Sequence, residues 1–227
     1  MTTTETGRIV LHPVGTNVPL VLSDYRSIVA GYTGRDEQQV RHHIEELAAI
    51  GVSPPPQVPM FYRIPGTAVT TASSLRVDGD NTSGEIEPVL IRHDGRNYLG
   101  VGSDHTDRTL ETVDVGDSKR ACPKPIGIDV VEIADWSSFD WDNCRARCWV
   151  DGNLYQDGTL AALRRPAALL GILYKQHPDF AVGDFVCLAG TVPLKDGEFV
   201  AGRQWELELV LADGRELRHI YLIEKDN

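Results

Sequence analysis

The pair Asp94-Gly95 is the sequence feature that most restricts the fold, because it lies between two apolar, alternating segments, VLIRH and RNYLGVG. Asp-Gly is a strong signal for a two-residue type I′ turn, whose backbone twist matches that of the strands it connects. The sequence therefore predicts a β-hairpin centred on this turn. A second hairpin is predicted around Asp213-Gly214, between WELELVLA and RELRHIYLIE.

Two segments have the pattern of helices. Residues 37–50 follow Asp36, which has Gln39 three residues later as in a capping box, and they carry one apolar stripe. Residues 166–176, PAALLGILYKQ, are apolar on most sides and place Pro in the first turn, which predicts a buried helix. The proline-rich residues 53–59 predict a stiff connector, because proline removes backbone donors and fixes φ.

Charge and hydropathy restrict the class of protein. The formal net charge of -11 argues against nucleic acid as a partner, since phosphate binding requires clustered Lys and Arg. No apolar run approaches the roughly 20 residues that cross a bilayer, and the chain carries no CxxC pair or secretory signal. We therefore expect a soluble, cytoplasmic protein with reduced cysteines that acts on small molecules.

The first hairpin carries carboxylates at its open end. Counting outward from the turn pairs Glu87 with Gly102 and Glu85 with Asp104, and the three acids then project from one face. Directly opposed residues have Cβ atoms about 5 Å apart, which crowds the carboxylates and favours a bound divalent cation. The alternatives are a solvated acidic face, or a bulge at Pro88 that changes the register.

Several segments together resemble the fumarylacetoacetate hydrolase-like superfamily, and more narrowly a poorly characterised branch of it. GEIEPVLI resembles its Glu-x-Glu metal strand, SDHTDR its segment that completes the metal site, and HHIEEL its His-x-x-Glu pair on a short helix. MFYRIPGTA, WVDGNLYQDGTL and VGDFVCLAGTVP resemble further segments, so the resemblance covers most of the chain. It implies that Glu85, Glu87 and Asp104 bind Mg²⁺ or Mn²⁺, the same three residues that the hairpin register brings together.

The resemblance also implies the architecture. We expect an α+β, mostly β fold: a mixed β-roll or distorted barrel of the fumarylacetoacetate hydrolase C-terminal-domain type, with a few helices. One domain would span residues 1–227, with an N-terminal β segment and the His/Glu helix in 1–60 and the main β-roll in 61–227. Relatives are commonly homodimers, so a homodimer is expected.

Two pairs satisfy the His-x-x-Glu pattern, His42 with Glu45 and His43 with Glu46. At about 100° per residue, His43 lies at the edge of the apolar stripe and His42 on the opposite side, which favours His43 and Glu46 as the catalytic pair. A Glu one turn away orients an imidazole and raises its basicity. The alternative is a solvent-facing helix rich in Glu and His.

The remaining site residues are expected to contact the substrate. By the resemblance Lys119 matches the active-site lysine, although its spacing to the next Cys-Pro is shorter than in relatives, so Lys124 remains an alternative. Arg63 stands where many relatives carry Lys, Arg108 would neutralise substrate charge, and Thr191 would bind a carboxylate through its hydroxyl. The alternatives are that Lys119 and Arg108 are ordinary surface residues and that Thr191 lies in a plain turn.

These features predict a metal-dependent hydrolase that cleaves a C–C bond in a small, acylpyruvate-like 2-oxo acid. The metal would polarise a carbonyl, His43 with Glu46 would activate water, and Lys119 would stabilise the carbanion. A decarboxylase, isomerase or hydratase using the same site is the first alternative. A metal- or ligand-binding protein without turnover is the second.

Overall fold

The computed structural model describes residues 7–49 and 53–224, and within them the chain is mostly β. No helix in this part of the chain combines the length and the apolar character needed to cross a membrane. The strands are β1 (Ile9–Pro13), β2 (Leu20–Leu22), β3 (Tyr25–Gly31), β4 (Met60–Ile64), β5 (Val69–Thr70), β6 (Ser74–Arg76), β7 (Thr82–Ser83), β8 (Ile86–His93), β9 (Arg96–Ser103), β10 (Thr106–Asp107), β11 (Lys124–Pro125), β12 (Asp129–Ile133), β13 (Arg145–Val150), β14 (Asn153–Thr159), β15 (Asp184–Leu188), β16 (Gln204–Val210) and β17 (Glu216–Glu224). The α-helices are α1 (Glu37–Ala49), α2 (Arg108–Glu111), α3 (Val115–Ala121) and α4 (Pro166–Gln176).

Two sheets and two short strand pairs make up the β structure of the described residues. The main sheet has eight strands in the order β2-β1-β12-β9-β8-β15-β3-β4, and a second sheet has five in the order β14-β13-β16-β17-β6. The main sheet is mixed, because β1 pairs with β12 and β3 with β15 in parallel while the β8–β9 pair is antiparallel. The N-terminal strands β1 and β3 are thus strands of the main sheet.

The β8–β9 hairpin has the register that the Asp-Gly turn predicts. His93 faces Arg96 and Glu87 faces Gly102, with Pro88 paired in the ladder rather than bulged. The turn residues Asp94 and Gly95 have φ values of 49° and 75°, the left-handed region that a type I′ turn requires. The second predicted hairpin is also present, as the antiparallel pair β16–β17.

Both predicted helices are present with nearly the predicted ends. Asp36 caps α1, because its Oδ1 accepts hydrogen bonds from the backbone N–H groups of Gln38 and Gln39 at 2.8 and 3.2 Å. Helix α4 begins at Pro166 as predicted and buries one side against the core, through Leu169, Leu170 and Leu173. The short helices α2 and α3 were not predicted.

Strand β8 is buried on both faces, which fixes the position of the acidic residues at its start. Leu90 belongs to the apolar cluster shared with the second sheet, whereas Val89 and Ile91 belong to a separate cluster on the other face. Glu87 precedes Val89 by two residues and so projects from that same face. A strand held from both sides gives its terminal carboxylates little freedom to move apart.

Candidate active site

The three predicted metal ligands lie together at the open end of the β8–β9 hairpin. Glu85 lies just before β8 and Asp104 just after β9, and the Asp104 N–H donates to the Glu85 carbonyl at 3.0 Å. Asp104 and Glu87 are buried, at 0% and 3% exposure. Glu87 Oε2 accepts a hydrogen bond of 2.8 Å from the backbone N–H of Gly190.

Three cationic side chains accompany these acids. Lys119 in α3 donates to Asp104 Oδ2, and Lys124 Nζ lies 3.1 Å from Asp104 Oδ1 while donating to the His105 carbonyl. The sequence left open which of the two lysines belongs to the site, and the structure places both beside Asp104. Arg108 Nη2 lies 2.9 Å from Glu85 Oε2.

The two buried carboxylates differ in their affinity for protons. Burial, together with the nearby Asp104, raises the pKa of Glu87 well above its ordinary value. Burial also opposes ionisation of Asp104, but Lys119 and Lys124 outweigh it and hold the pKa of Asp104 well below its ordinary value. Asp104 therefore stays an anion near neutral pH, whereas Glu87 favours a proton or an added cation.

Thr191 lies in the turn that contacts Glu87, next to Gly190. Its hydroxyl donates to the Ile86 carbonyl at 2.7 Å and accepts from Gln156 Nε2 at 2.8 Å. Gln156 Oε1 also accepts from the Ile86 N–H at 2.9 Å. The predicted Thr191 is thus close to the acidic group, and its hydroxyl proton is used to hold the turn against β8.

Aromatic side chains that the sequence did not indicate lie near two of the cations, Lys119 and Arg108. Lys119 Nζ lies 5.8 Å from the ring centroid of Tyr62. Arg108 Cζ lies 3.6 Å from the ring centroid of Phe199, which is 45% exposed. Tyr32 has φ of 57°, an uncommon conformation for a bulky residue that is often found at functional sites.

One predicted residue, Arg63, makes its contacts away from this group. Arg63 forms an ion pair with Asp179, with Nη2 2.6 Å from Oδ1, and its Nη2 lies 3.2 Å from His177 Nδ1. Its contacts are thus on the side of β4 opposite to the Tyr62 ring, as strand alternation requires. His43 and Glu46 belong to α1, but their side chains lie outside what the structure describes.

The donor set of the acidic group suits a divalent metal ion. Carboxylate oxygens are the ligands that Mg²⁺ and Mn²⁺ prefer. Asp104 Oδ1 is buried and makes no hydrogen bond, since Lys124 approaches it at ion-pair distance without hydrogen-bond geometry. This oxygen, together with the high proton affinity of Glu87, fits a cation at this position.

The carboxylate oxygens of the three acids lie farther apart than the ligand atoms of a compact metal site. Among the described residues, the triad whose ligand atoms all lie within 4.8 Å of one another is His93, Asp94 and Asp184, at the hairpin turn. The acids at the other end of the hairpin do not meet this condition. Arg108 holds Glu85 while Lys119 holds Asp104, so a single ion bound by all three acids would need a closer approach of their oxygens.

Solved structures share this fold across nearly the whole chain. A candidate fumarylacetoacetate isomerase/hydrolase from Oleispira antarctica is 15% identical, with a TM-score of 0.67 over 91% of this chain and 96% of that one. The fumarylpyruvate hydrolase of Pseudomonas aeruginosa, solved with Mn²⁺ and pyruvate, is 17% identical, with a TM-score of 0.63 over 96% and 97%. The 5-carboxymethyl-2-hydroxymuconate delta-isomerase of Mycobacterium smegmatis is 16% identical, with a TM-score of 0.56 over 93% and 87%. The chain has the fumarylacetoacetate hydrolase-type fold, which confirms the predicted fold class.

Sequence comparison places the chain in a particular family. The model of the family described as "Protein of unknown function (DUF2848)" matches residues 30–221, and the chain belongs to this family. The sequence matches none of the curated proteins. The matched range contains both the acidic group and its lysines.

Proposed function

We propose that the protein is a divalent-metal-dependent hydrolase that cleaves a C–C bond in a small, acylpyruvate-like 2-oxo acid. The observation that carries the proposal is the buried pair of Glu87 and Asp104, in which Glu87 favours a cation and Asp104 Oδ1 lacks a hydrogen bond. Fold neighbours named as a fumarylpyruvate hydrolase and a hydroxymuconate isomerase support this class of substrate.

The proposed metal ligands are Glu85, Glu87 and Asp104. When bound, Mg²⁺ or Mn²⁺ supplies Lewis acidity, which polarises the 2-oxo group and stabilises enolate charge. Lys119 holds Asp104 in its ionised form and brings a positive charge to the same place. The metal ion, when bound, and Lys119 would both stabilise the negative charge that develops as the C–C bond breaks.

The hydrolytic step requires a base and groups that orient the substrate. We assign the base to His43, oriented by Glu46: the imidazole takes a proton from water, and the oxygen of that water adds to the distal carbonyl. The C–C bond then breaks, the acyl part leaves as a carboxylate, and the other part leaves as an enolate that takes up a proton. Arg108, which pairs with Glu85, is assigned to substrate orientation. Thr191, whose neighbour Gly190 donates to Glu87, is assigned the same role through the amides of its turn, because its hydroxyl proton is donated to Ile86.

Enolate chemistry without hydrolysis is the second candidate, and the delta-isomerase among the fold neighbours favours it. A decarboxylase, isomerase or hydratase would use the same acids and Lys119 but no water attack on a distal carbonyl. The variant His43→Ala separates the two candidates. Loss of acylpyruvate cleavage with oxaloacetate decarboxylation retained supports hydrolysis, whereas equal loss of both favours the second candidate.

Calorimetric titration of oxalate, a mimic of pyruvate enolate, tests the metal site. Oxalate should bind protein loaded with Mn²⁺ but not metal-free protein, and Glu87→Gln should weaken its binding by more than about tenfold. The control is Asp184→Asn, which alters the other group of candidate ligands at the opposite end of the hairpin. Oxalate binding without metal, or binding that Asp184→Asn abolishes and Glu87→Gln spares, would contradict the proposal.

A further inference from the structure

A chain of hydrogen bonds between buried side chains lies beside the acidic group. It joins four side chains that the proposed mechanism does not use, and each residue is at most 6% exposed. One of them comes from β17 in the second sheet, and the others lie in β7, in β9 and between β9 and β10. In order of contact, the four residues are Thr82, His105, Tyr221 and Ser103.

The donors and acceptors of this chain follow from its contacts. The Tyr221 hydroxyl donates to Ser103 Oγ at 3.0 Å. Its oxygen also lies 3.1 Å from His105 Nδ1, which must carry the proton of that contact, since the tyrosine has only one proton to give. His105 Nε2 lies 3.0 Å from Thr82 Oγ1 and accepts from it in the neutral ring. Each polar atom of the four side chains thus has a partner, which is the condition for a stable buried network.

One end of the chain holds the backbone of Glu85. Ser103 Oγ accepts a hydrogen bond of 3.1 Å from the Glu85 N–H. The residue before Glu85 is in close contact with the same groups: a Cβ added to Gly84 would lie 2.2 Å from the Tyr221 hydroxyl oxygen and 2.5 Å from Ser103 Oγ. Glycine at this position leaves the space that the tyrosine hydroxyl occupies. The backbone that carries Glu85 is therefore held by a side chain of the second sheet.

The same hydroxyl restrains the residue next to Asp104. His105 follows Asp104 directly, and its ring is held at both nitrogens, by Tyr221 and by Thr82. The rings of His105 and Tyr221 also meet edge to face, with centroids 5.8 Å apart. The His105 carbonyl accepts from Lys124. A residue fixed through both its ring and its carbonyl has little freedom to turn, and the adjoining backbone of Asp104 shares that restraint.

We infer that Tyr221 is a positioning residue for the proposed metal ligands. Through Ser103 its hydroxyl fixes the backbone of Glu85. Through His105 it fixes the backbone of Asp104. The inference rests on the proposed function, in which these acids bind the metal ion. Groups that hold metal ligands in place without touching the metal affect its affinity, and their loss weakens binding by about 10–100-fold.

The variant Tyr221→Phe tests the inference, because it removes the hydroxyl and keeps the ring. Amide hydrogen exchange at Glu85, measured by NMR on metal-free protein, should become severalfold faster, since the acceptor Ser103 loses the group that holds it. Calorimetric titration of Mn²⁺ into metal-free protein should show binding weaker by about tenfold or more.

The matched control is Tyr25→Phe. It removes another buried tyrosine hydroxyl, which donates to the Gly66 carbonyl at 2.9 Å, far along the chain from the acidic group. It should lower the urea midpoint about as much as Tyr221→Phe does, because each variant loses one buried hydrogen bond. It should leave Mn²⁺ affinity and Glu85 exchange as in the wild type.

A second variant tests the same contact from its other side. Ser103→Ala removes the acceptor for both the Tyr221 hydroxyl and the Glu85 N–H, so it should weaken Mn²⁺ binding at least as much as Tyr221→Phe. Adding Tyr221→Phe to Ser103→Ala should cause little further loss, because both groups act on Glu85 through one contact.

Three results overturn the inference: wild-type Mn²⁺ affinity in Tyr221→Phe, equal effects of Tyr221→Phe and Tyr25→Phe on both measurements, or fully additive losses in the double variant. The proposed metal site has its own reading. If the wild type binds no Mn²⁺ while Glu85 exchange depends on the Tyr221 hydroxyl, the metal site falls and the positioning of Glu85 by Tyr221 stands. If Mn²⁺ binds equally to the wild type and to Tyr221→Phe, the metal site stands and the inference falls.

Discussion

At the residue scale, Gly190 shows how one position serves both the fold and the site. It has φ of 98°, a conformation that favours glycine. A Cβ there would collide with Thr33 Oγ1, at 1.7 Å. Gly190→Ala should therefore lower the free energy of unfolding by about 2–4 kcal/mol, from backbone strain and overpacking together. Urea denaturation measures this loss.

The matched control for this prediction is Gly197→Ala. Gly197 has φ of 73°, but an added Cβ there would meet no atom within 4 Å, so only backbone strain of about 1–2 kcal/mol is expected. Gly190→Ala should also weaken oxalate binding, because its N–H holds Glu87. Equal destabilisation by the two substitutions would show that the contact with Thr33 has no energetic consequence.

The sequence predicts some site residues and misses others for a physical reason. Glu85, Glu87 and Asp104 follow from the turn at Asp94-Gly95, because hairpin register is a local property. Gln156, which the sequence did not indicate, contacts Ile86 across 70 positions of the chain. Lys124 is an alternative to Lys119 by sequence, and the structure shows that it too reaches Asp104, from a short strand after α3. No spacing rule relates such distant segments, so the contact of Gln156 and the presence of both lysines are visible only in the folded structure.

At the scale of single elements, strand β4 presents its neighbours Tyr62 and Arg63 to opposite sides. Tyr62 approaches Lys119, whereas Arg63 pairs with Asp179 in an exposed position. Arg63→Gln should leave oxalate binding unchanged and alter the free energy of unfolding by at most about 1 kcal/mol. Tyr62→Ala should weaken oxalate binding severalfold. Calorimetry on the two variants compares the two faces of one strand.

The opposite result would support the predicted role of Arg63 in substrate binding. If Arg63→Gln weakened oxalate binding and Tyr62→Ala did not, the ion pair with Asp179 would have to open when the ligand binds. The strand alternation that separates these two residues could be read from the sequence MFYRI alone. The missing information was which face of β4 meets α3, because the packing of a strand against a later helix depends on the whole chain.

At the scale of the whole molecule, the four cysteines report on how cooperatively the fold opens. Cys122, Cys144, Cys148 and Cys187 are free, and each is at most 2% exposed. They are spread over three parts of the described structure: the end of α3, the second sheet around β13, and β15 in the main sheet. Burial raises the pKa of Cys122 and of Cys144 to about 11, and it also raises the pKa of the other two thiols.

We therefore expect none of the four thiols to react with a disulfide reagent at pH 8 on the time scale of minutes, and all four to react in denaturant. Access and thiolate formation are both blocked in the folded state. If the two sheets open as one unit, the four sites should become labelled at a common rate as urea is raised, followed site by site by mass spectrometry. Early labelling of Cys148 with Cys187 still protected would instead show that the second sheet separates from the main sheet before the whole fold is lost. The β8–β9 hairpin that carries the acidic group would then stay folded after the second sheet has opened.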